Sequence, residues 1–334
     1  MQAKHSYIYF PLNLVSYLHS APKKAIRAMV SYGIVQYSKY HLAKAQETDP
    51  DRVLINAYNH VVYAFYNNKL PFEIAGWIDD LITSGEFEPN EDLRPFSVTG
   101  SFDPEQERGS ICVAWEDDPE KQSACLDFYF QSLAMKDWGL KIHINELRKQ
   151  SELVSQKVRE FEAVYGKDAL VSLKTDMILD FFVNPKSSED YELLAAYCGV
   201  KSIIGSKAYV GTNKKFIVAR MVGAKDETTL KAMLADPHRN EALSEVYRMF
   251  CHRHHADILI DKLIQRGFLS SKIGLQGTRR LYISCTLDFN DLAIAISKLS
   301  VMDRSRKMIK EKEKEAVELL KKLIRERLEN RKNR

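Results

Sequence analysis

The most constraining feature of the sequence is a helix pattern that stops at a glycine and leads into two strand patterns. Between residues 254 and 266, apolar residues recur at the spacing of one helix face. They are Ala256, Leu259, Ile260, Leu263 and Ile264. Gly267 is placed to end this helix, because glycine readily adopts the left-handed conformation that terminates many helices. The pattern therefore predicts an amphipathic helix with a defined end.

Two strand patterns follow on either side of a glycine-rich turn. Residues 268–273 and 279–285 are the predicted strands. In the second, apolar residues at 281, 283 and 285 alternate with Tyr282 and Ser284, which is typical of a strand with one buried face. Gly274-Leu-Gln-Gly277 supplies the positive φ that a tight hairpin turn requires. We therefore expect a β-hairpin directly after the helix.

Two further helices are predicted upstream. The spacing Ser187-x-x-Asp190 is that of a capping box, and it predicts a helix over 187–205. Gly199 lies inside this helix, where a glycine costs about 1 kcal/mol relative to alanine. A second helix is predicted over 213–223.

Together these patterns resemble a winged-helix domain, the helix-turn-helix variant with a β-hairpin wing, over about residues 191–287. The run ADILIDKLIQRGFLSSKIGLQGTRRLYIS is similar to the recognition helix and wing of that family. The helix over 213–223 is similar to the second helix of the family. The resemblance covers less than a third of the chain. It implies non-enzymatic binding of duplex DNA, in replication initiation or in transcription control.

Two features depart from the family pattern. About thirty residues separate Gly223 from His254, whereas three or four join the helices of the simple motif. Either an extra helix is inserted, or the recognition helix is the segment 226–235. The outward face of the helix at 254–266 also carries Asp257 and Asp261, which repel phosphates, although acidic side chains can accept hydrogen bonds from cytosine. We therefore expect more DNA contacts from the wing than from the helix.

Charge is divided unevenly along the chain. Residues 1–198 carry 20 Lys and Arg against 29 Asp and Glu, whereas residues 199–334 carry 29 against 16. Residues 199–285 alone carry 15 against 7. This asymmetry predicts a polyanion-binding half, because Lys and Arg release the counterions condensed on DNA. The alternative is that the basic half docks on the acidic half of the same chain.

The candidate DNA contacts are the cations of the predicted helices and hairpin. They are Lys214, Lys215, Arg220, Arg253, Lys262, Arg266, Lys272, Arg279 and Arg280. We expect Lys272, Arg279 and Arg280 to flank the hairpin tip. The helix over 213–223 would also offer its N-terminal amides to a phosphate.

Other functional motifs are incomplete. Cys251-His-Arg-His-His255 has a ligand pair at helical spacing but no second pair elsewhere, so we predict no metal site. The segment 205–212 lacks the spacing of a phosphate-binding P-loop. Gly274-x-x-Gly277 joins predicted strands, whereas the similar loop of KH domains joins helices. We predict no enzyme and no cofactor. The competing function is a protein-interaction or scaffolding module whose basic half binds an acidic protein surface.

The chain as a whole is predicted to be mostly helical, because it has only 14 glycines and 10 prolines in 334 residues. The predicted division is a helical region (1–83), an acidic Pro/Gly-rich loop or linker with a short strand (84–118), a second helical region (119–186), a winged-helix-like domain (187–290) and a charged helical tail (291–334). Pro22, Pro50 and Pro71 are each placed to open a helix of the first region. The short strand is predicted over 111–115, a helix is predicted near 168–183, and the main domain boundary is predicted over 184–188. The apolar positions of the tail fill only about two heptads. We expect a solvated or partly docked helix there, with a homodimerisation arm or a phosphate-binding arm as the alternatives.

Cysteine and apolar patterns bear on location. The five cysteines are scattered without a C-x-x-C motif, which favours free thiols in a reducing compartment. The apolar segment 7–18 is interrupted by Pro11, Asn13 and Ser16, so it fits folded structure better than a signal peptide. No apolar run approaches the about 20 residues that span a bilayer. We expect a cytoplasmic protein without a membrane contact.

Overall fold

A computed structural model of the chain describes residues 7–85, 115, 117–236, 240–274, 280–298 and 318. These residues are mostly helical, with small antiparallel sheets, which confirms the predicted helical character. Three predictions fall outside them: the strand at 111–115 apart from Trp115, the hairpin tip at 275–279, and the tail beyond 298 apart from Glu318.

The chain divides into two compact units. The N-terminal unit comprises Met1–Gly205 and Lys215–Leu259, and the C-terminal unit comprises Ser206–Lys214 and Ile260–Arg334.

The N-terminal unit opens with a strand and three long helices. Its first elements are β1 (Tyr7–Pro11), a 3-10 helix (Leu12–Leu18), α1 (Pro22–Thr48), α2 (Pro50–Tyr66) and α3 (Phe72–Ser84). Each α-helix begins at or immediately after a proline, since a first-turn residue needs no N–H partner inside the helix. The side chain of Asp49 also caps α2 by accepting a hydrogen bond from the Arg52 amide.

Two further long helices complete the helical core of this unit. They are α4 (Pro119–Asp137) and α5 (Ile144–Tyr165), and α1 packs against both. Helices α2, α3 and α4 share a cluster of buried side chains that includes Ala57, Ile78, Trp115 and Phe128. The apolar residues of α2 and α3 recur at helical spacing, and the buried cluster shows that these helices pack through that face.

A strand interrupts the helix that the sequence pattern predicts over 168–183. The structure has β2 (Leu170–Lys174) followed by α6 (Thr175–Val183). β2 pairs with β1 in antiparallel register, with Val171 opposite Phe10, and both side chains are fully buried. The helix prediction was wrong for 170–174 because the partner of this short strand lies at the far end of the sequence.

The helix α7 (Ser188–Ile204) has the predicted capping box. The amide of Asp190 donates to Ser187 Oγ at 3.2 Å, and the amide of Ser187 donates to the Asp190 carboxylate at 3.0 Å. Gly205 ends the helix with φ of 57°. Because α7 packs against β2 and the 3-10 helix, the predicted boundary over 184–188 lies inside the N-terminal unit.

The next elements are β3 (Tyr209–Thr212), in the C-terminal unit, and α8 (Lys214–Met221). Helix α8 lies against α7. A Cβ on Gly199 would stand 2.9 Å from the Met221 amide nitrogen and 3.1 Å from the Ile217 carbonyl oxygen. This close approach of two helix backbones explains why a glycine occupies a position where the helix pattern alone disfavours it.

Two helices occupy the segment that departs from the simple helix-turn-helix spacing. They are α9 (Glu227–Ala235) and α10 (Asn240–Cys251), and they pack against each other. Leu230, Met233 and Leu243 join a buried cluster with Phe161 of α5. The pair therefore covers part of the helical core of the N-terminal unit. Helix α11 (Arg253–Gln265) follows and matches the predicted amphipathic helix.

The C-terminal unit contains a three-stranded antiparallel sheet. Its strands are β3, β4 (Ser271–Gly274) and β5 (Leu281–Ser284), in the order β3-β5-β4. The two predicted strands are confirmed, although each begins later than the sequence pattern suggested. Another helix starts after Asp288, whose side chain accepts a hydrogen bond from the Asp291 amide, and it is described as far as Lys298.

Candidate nucleic-acid interface

The hairpin β4–β5 is connected closely to the helix that precedes it. Gly267 ends α11 with φ of 73°, and the Leu269 amide donates to the Leu263 carbonyl at 3.2 Å. In the hairpin, Lys272 lies opposite Ile283. The short connection fixes the start of β4 at the end of α11, within the C-terminal unit.

Strand β5 is buried on both faces, which corrects the prediction of a half-buried strand. All four of its residues are at most 9% exposed. On one face, Tyr282 packs with Leu292 and Ile296 of the helix over 289–298. The alternation in the sequence was misleading because tyrosine and serine were assigned to solvent, and because the covering helix follows the hairpin.

Tyr282 also lies over a glycine in the neighbouring strand. Gly211 of β3 is paired with Tyr282, and a Cβ at this position would stand 3.0 Å from Cε1 of the ring. The missing side chain lets the ring cross the strand, an arrangement that stabilises glycine-containing sheet edges.

Ser284 is a fully buried polar residue with a complete set of hydrogen bonds. Its hydroxyl donates to the Ala208 carbonyl at 2.6 Å, and it accepts from the amides of Leu287 at 2.7 Å and Thr286 at 3.1 Å. The side chain thus ties the start of β3 to the turn after β5. Sequence reasoning missed this role because the Ala208 carbonyl lies 76 residues away in the sequence.

An ion pair joins Lys272 of β4 to Asp261 of α11. The Lys272 side chain is 25% exposed and that of Asp261 is 52% exposed. The pair neutralises one of the two acids that the sequence pattern placed on the outward face of the helix. It also gives Lys272 a carboxylate partner within the protein.

The other candidate cations differ in exposure. Lys215, Arg266 and Arg280 are exposed, whereas Lys214 and Lys262 are half-buried. Arg253 is the first residue of α11, and Arg279 lies outside the described residues. Of the nine candidates, the C-terminal unit contains Lys214, Lys262, Arg266, Lys272, Arg279 and Arg280. Sequence reasoning did not include Lys207 and Lys298, which are exposed cations of the same unit.

Arg220 has a different environment. Its guanidinium carbon lies 4.9 Å from the centre of the Phe216 ring. Burial lowers the pKa of Arg220, while Asp168 and Asp226 raise it. Its Nε and Nη1 atoms are buried and have no hydrogen-bond partner among the described residues. A guanidinium in this position contributes to the interior of the N-terminal unit and is poorly placed to reach a phosphate.

The two units, like the two halves of the sequence, carry net charges of opposite sign. The C-terminal unit contains 21 Lys and Arg against 10 Asp and Glu, a net charge of +11. The N-terminal unit contains 28 against 35, a net charge of −7. Within the smaller unit, residues 206–214 and 260–298, which include the hairpin, contribute +5, and residues 299–334 contribute +6.

In the Cys251–His255 segment, Cys251 is hydrogen-bonded to Tyr247. Burial raises the pKa of the Cys251 thiol, and burial together with the hydrogen bond that the Tyr247 hydroxyl donates to Cys251 raises the pKa of Tyr247 to about 12. The rings of His252 and His255 are 5.7 Å apart. In the described part of the chain, no group of three or more His, Cys, Asp or Glu side chains is placed to hold a metal ion.

Over the residues that the structure describes, no helix combines the length and apolarity needed to cross a bilayer. No protein-family model, curated protein or solved structure matches the chain.

Proposed function

We propose that the protein binds duplex DNA without catalysing a reaction, and that its C-terminal unit is the binding surface. The observation that carries the proposal is the net charge of +11 in that unit, beside −7 in the other. Duplex DNA carries about one negative charge per 1.7 Å of axis, and neutralising those charges supplies most non-specific affinity. A small, strongly basic unit matches this requirement.

The proposal includes a winged-helix arrangement, with β4–β5 as the wing and α11 as the recognition helix. The antiparallel hairpin directly after α11, and the pairing of β5 with β3, support it. The inserted pair α9–α10 is an addition to the simple motif. A role in replication initiation or transcription control follows from the same resemblance and belongs to the proposal.

The proposed contacts are the exposed cations around the hairpin and the end of α11. Arg280 directly precedes β5, and Arg266 lies at the end of the helix, both exposed. Arg279 completes the group by its position in the sequence. We leave Arg220 out, because its guanidinium is desolvated beside Phe216.

The test is a binding titration of the full chain against labelled duplex DNA, single-stranded DNA and double-stranded RNA, with poly-glutamate as competitor. We expect the tightest binding to duplex DNA and weak competition by poly-glutamate at equal charge. Absence of duplex binding at low salt by folded protein would contradict the proposal. Displacement of DNA by poly-glutamate at equal charge concentration would favour the acidic-protein alternative.

A further inference from the structure

We infer that Lys272 is a positioning residue, which holds the wing on α11 through its ion pair with Asp261, so that the pair sets the geometry of the proposed DNA surface. This inference rests on the proposed DNA-binding function. Lys272 was expected to contact a DNA phosphate, whereas here its proposed role is to hold β4 against α11.

The direction of the Lys272 side chain follows from the strand. Successive residues of a strand point to opposite faces. Ile273 packs on the face that carries Tyr282 and the helix over 289–298. Lys272 therefore points to the other face, where it meets Asp261 of α11. The C-terminal end of α11 accordingly lies on that face.

The burial of β5 is consistent with cover on both sides. Ile283 lies opposite Lys272 in the hairpin, and its side chain is fully buried. The Lys272 side chain is only 25% exposed, and its ammonium group is paired with the Asp261 carboxylate. Its direction is therefore fixed, whereas an exposed lysine without such a partner samples many directions. The ion pair of Lys272 thus connects the hairpin to the preceding helix.

The effect of replacing Asp261 on DNA affinity has opposite signs if the residue only repels DNA and if it positions Lys272. If the acid merely repels DNA, replacing it should tighten binding, since one negative charge leaves the surface. If it holds Lys272 and the hairpin, the replacement should weaken binding in spite of the favourable change in charge. The sign of the effect therefore separates the two roles.

The experiment is a double-mutant cycle on the full chain, with Lys272→Met, Asp261→Asn and both together. We expect each single variant to weaken duplex binding by about two- to fivefold, the range of a partly exposed ion pair. The double variant should be no weaker than the weaker single variant, because both remove the same interaction. The slope of log affinity against log salt should stay unchanged in Lys272→Met, whereas loss of a phosphate contact lowers it by about 0.9.

A second readout tests the inference without DNA. Hydrogen exchange of the hairpin amides over 271–284 should accelerate in both single variants. The matched control is the Lys231–Glu227 ion pair of α9, an exposed pair at 3.1 Å in the N-terminal unit. Lys231→Met and Glu227→Gln should change neither the exchange of the hairpin nor the DNA affinity.

Three outcomes would overturn the inference. They are tighter DNA binding by Asp261→Asn, a salt slope reduced by about one in Lys272→Met, or hairpin exchange that is unchanged in both variants. Failure of the proposed function gives a different result from failure of this inference. If the protein does not bind DNA, the wild-type chain will show no duplex binding, although hydrogen exchange of the hairpin will still accelerate in the variants.

Discussion

Gly199 of α7 lies so close to the backbone of Met221 in α8 that a Cβ would stand 2.9 Å from the Met221 nitrogen. Non-bonded contacts of Cβ atoms shorter than 3.0 Å are essentially never observed in proteins. The packing of α7 on α8 therefore depends on the absence of a side chain at 199. Because the neighbouring atoms are backbone, the helices must shift if a side chain is added.

Replacing Gly199 with alanine should destabilise the protein. Overpacking in a tight core typically costs about 1–3 kcal/mol, which exceeds the gain of about 1 kcal/mol in helix propensity. Urea unfolding of the full chain measures the difference. The matched control is Gly76→Ala in α3, where a Cβ meets no atom within 4 Å. This control should be neutral or stabilising, and equal effects of the two changes would contradict the packing account.

His60 should make stability depend on pH. Burial, together with the charge of Lys136, lowers the pKa of His60 to about 4. Its ring lies 5.2 Å from Phe128 and 5.6 Å from Tyr129. The unfolded chain takes up the proton near its ordinary pKa of 6.5, whereas the folded chain resists it until about 4. The contribution of neutral His60 to the free energy of unfolding is therefore fully present above about pH 6.5 and is lost as the pH falls towards 4.

The measurement compares wild type with His60→Phe by urea unfolding at pH 7.5 and pH 5. The loss of stability between these values should be smaller in the variant by about 1–2 kcal/mol. Burial also lowers the pKa of His19 and His41, so part of the pH dependence should persist. A variant with the full wild-type pH dependence would show that His60 is not the cause.

Ser284→Ala should destabilise the C-terminal unit. The change removes the hydroxyl that bonds the Ala208 carbonyl and the amides of Thr286 and Leu287. These three backbone groups then lose a partner beside a fully buried side chain. Leaving buried polar groups unpaired costs about 1–3 kcal/mol. Thermal unfolding of the full chain measures the loss of stability, and hydrogen exchange of the β3 and β5 amides shows whether the loss lies in the C-terminal unit. The control Ser270→Ala changes an exposed serine and should have little effect.

Local signals in the sequence predicted most helix boundaries. Prolines at 22, 50 and 71, the capping box at 187–190 and the glycines at 205 and 267 act on the backbone of their own neighbourhood. Their effect does not depend on distant residues. The hairpin β4–β5 was predictable for the same reason, since its strands are joined by a short glycine-rich segment.

Features that depend on distant partners were not predictable. β2 requires β1, which lies about 160 residues away in the sequence. The burial of Tyr282 requires a helix that follows the hairpin, and the role of Gly199 requires the backbone of α8. Among the candidate contacts, the ion pair of Lys272 and the desolvation of Arg220 were hidden because both depend on side chains of other elements.

The central claim, that the basic C-terminal unit binds duplex DNA through its wing, is tested most directly by duplex affinity measured against salt concentration. For the wild-type chain we expect log affinity to fall with log salt by about 0.9 per phosphate neutralised. Arg279→Ala with Arg280→Ala should weaken binding and reduce this slope by about one per lost contact. Lys23→Ala with Lys24→Ala, an exposed pair in the N-terminal unit, should change neither. Unchanged affinity and slope in the arginine variant, or an equal loss in the lysine control, would contradict the claim.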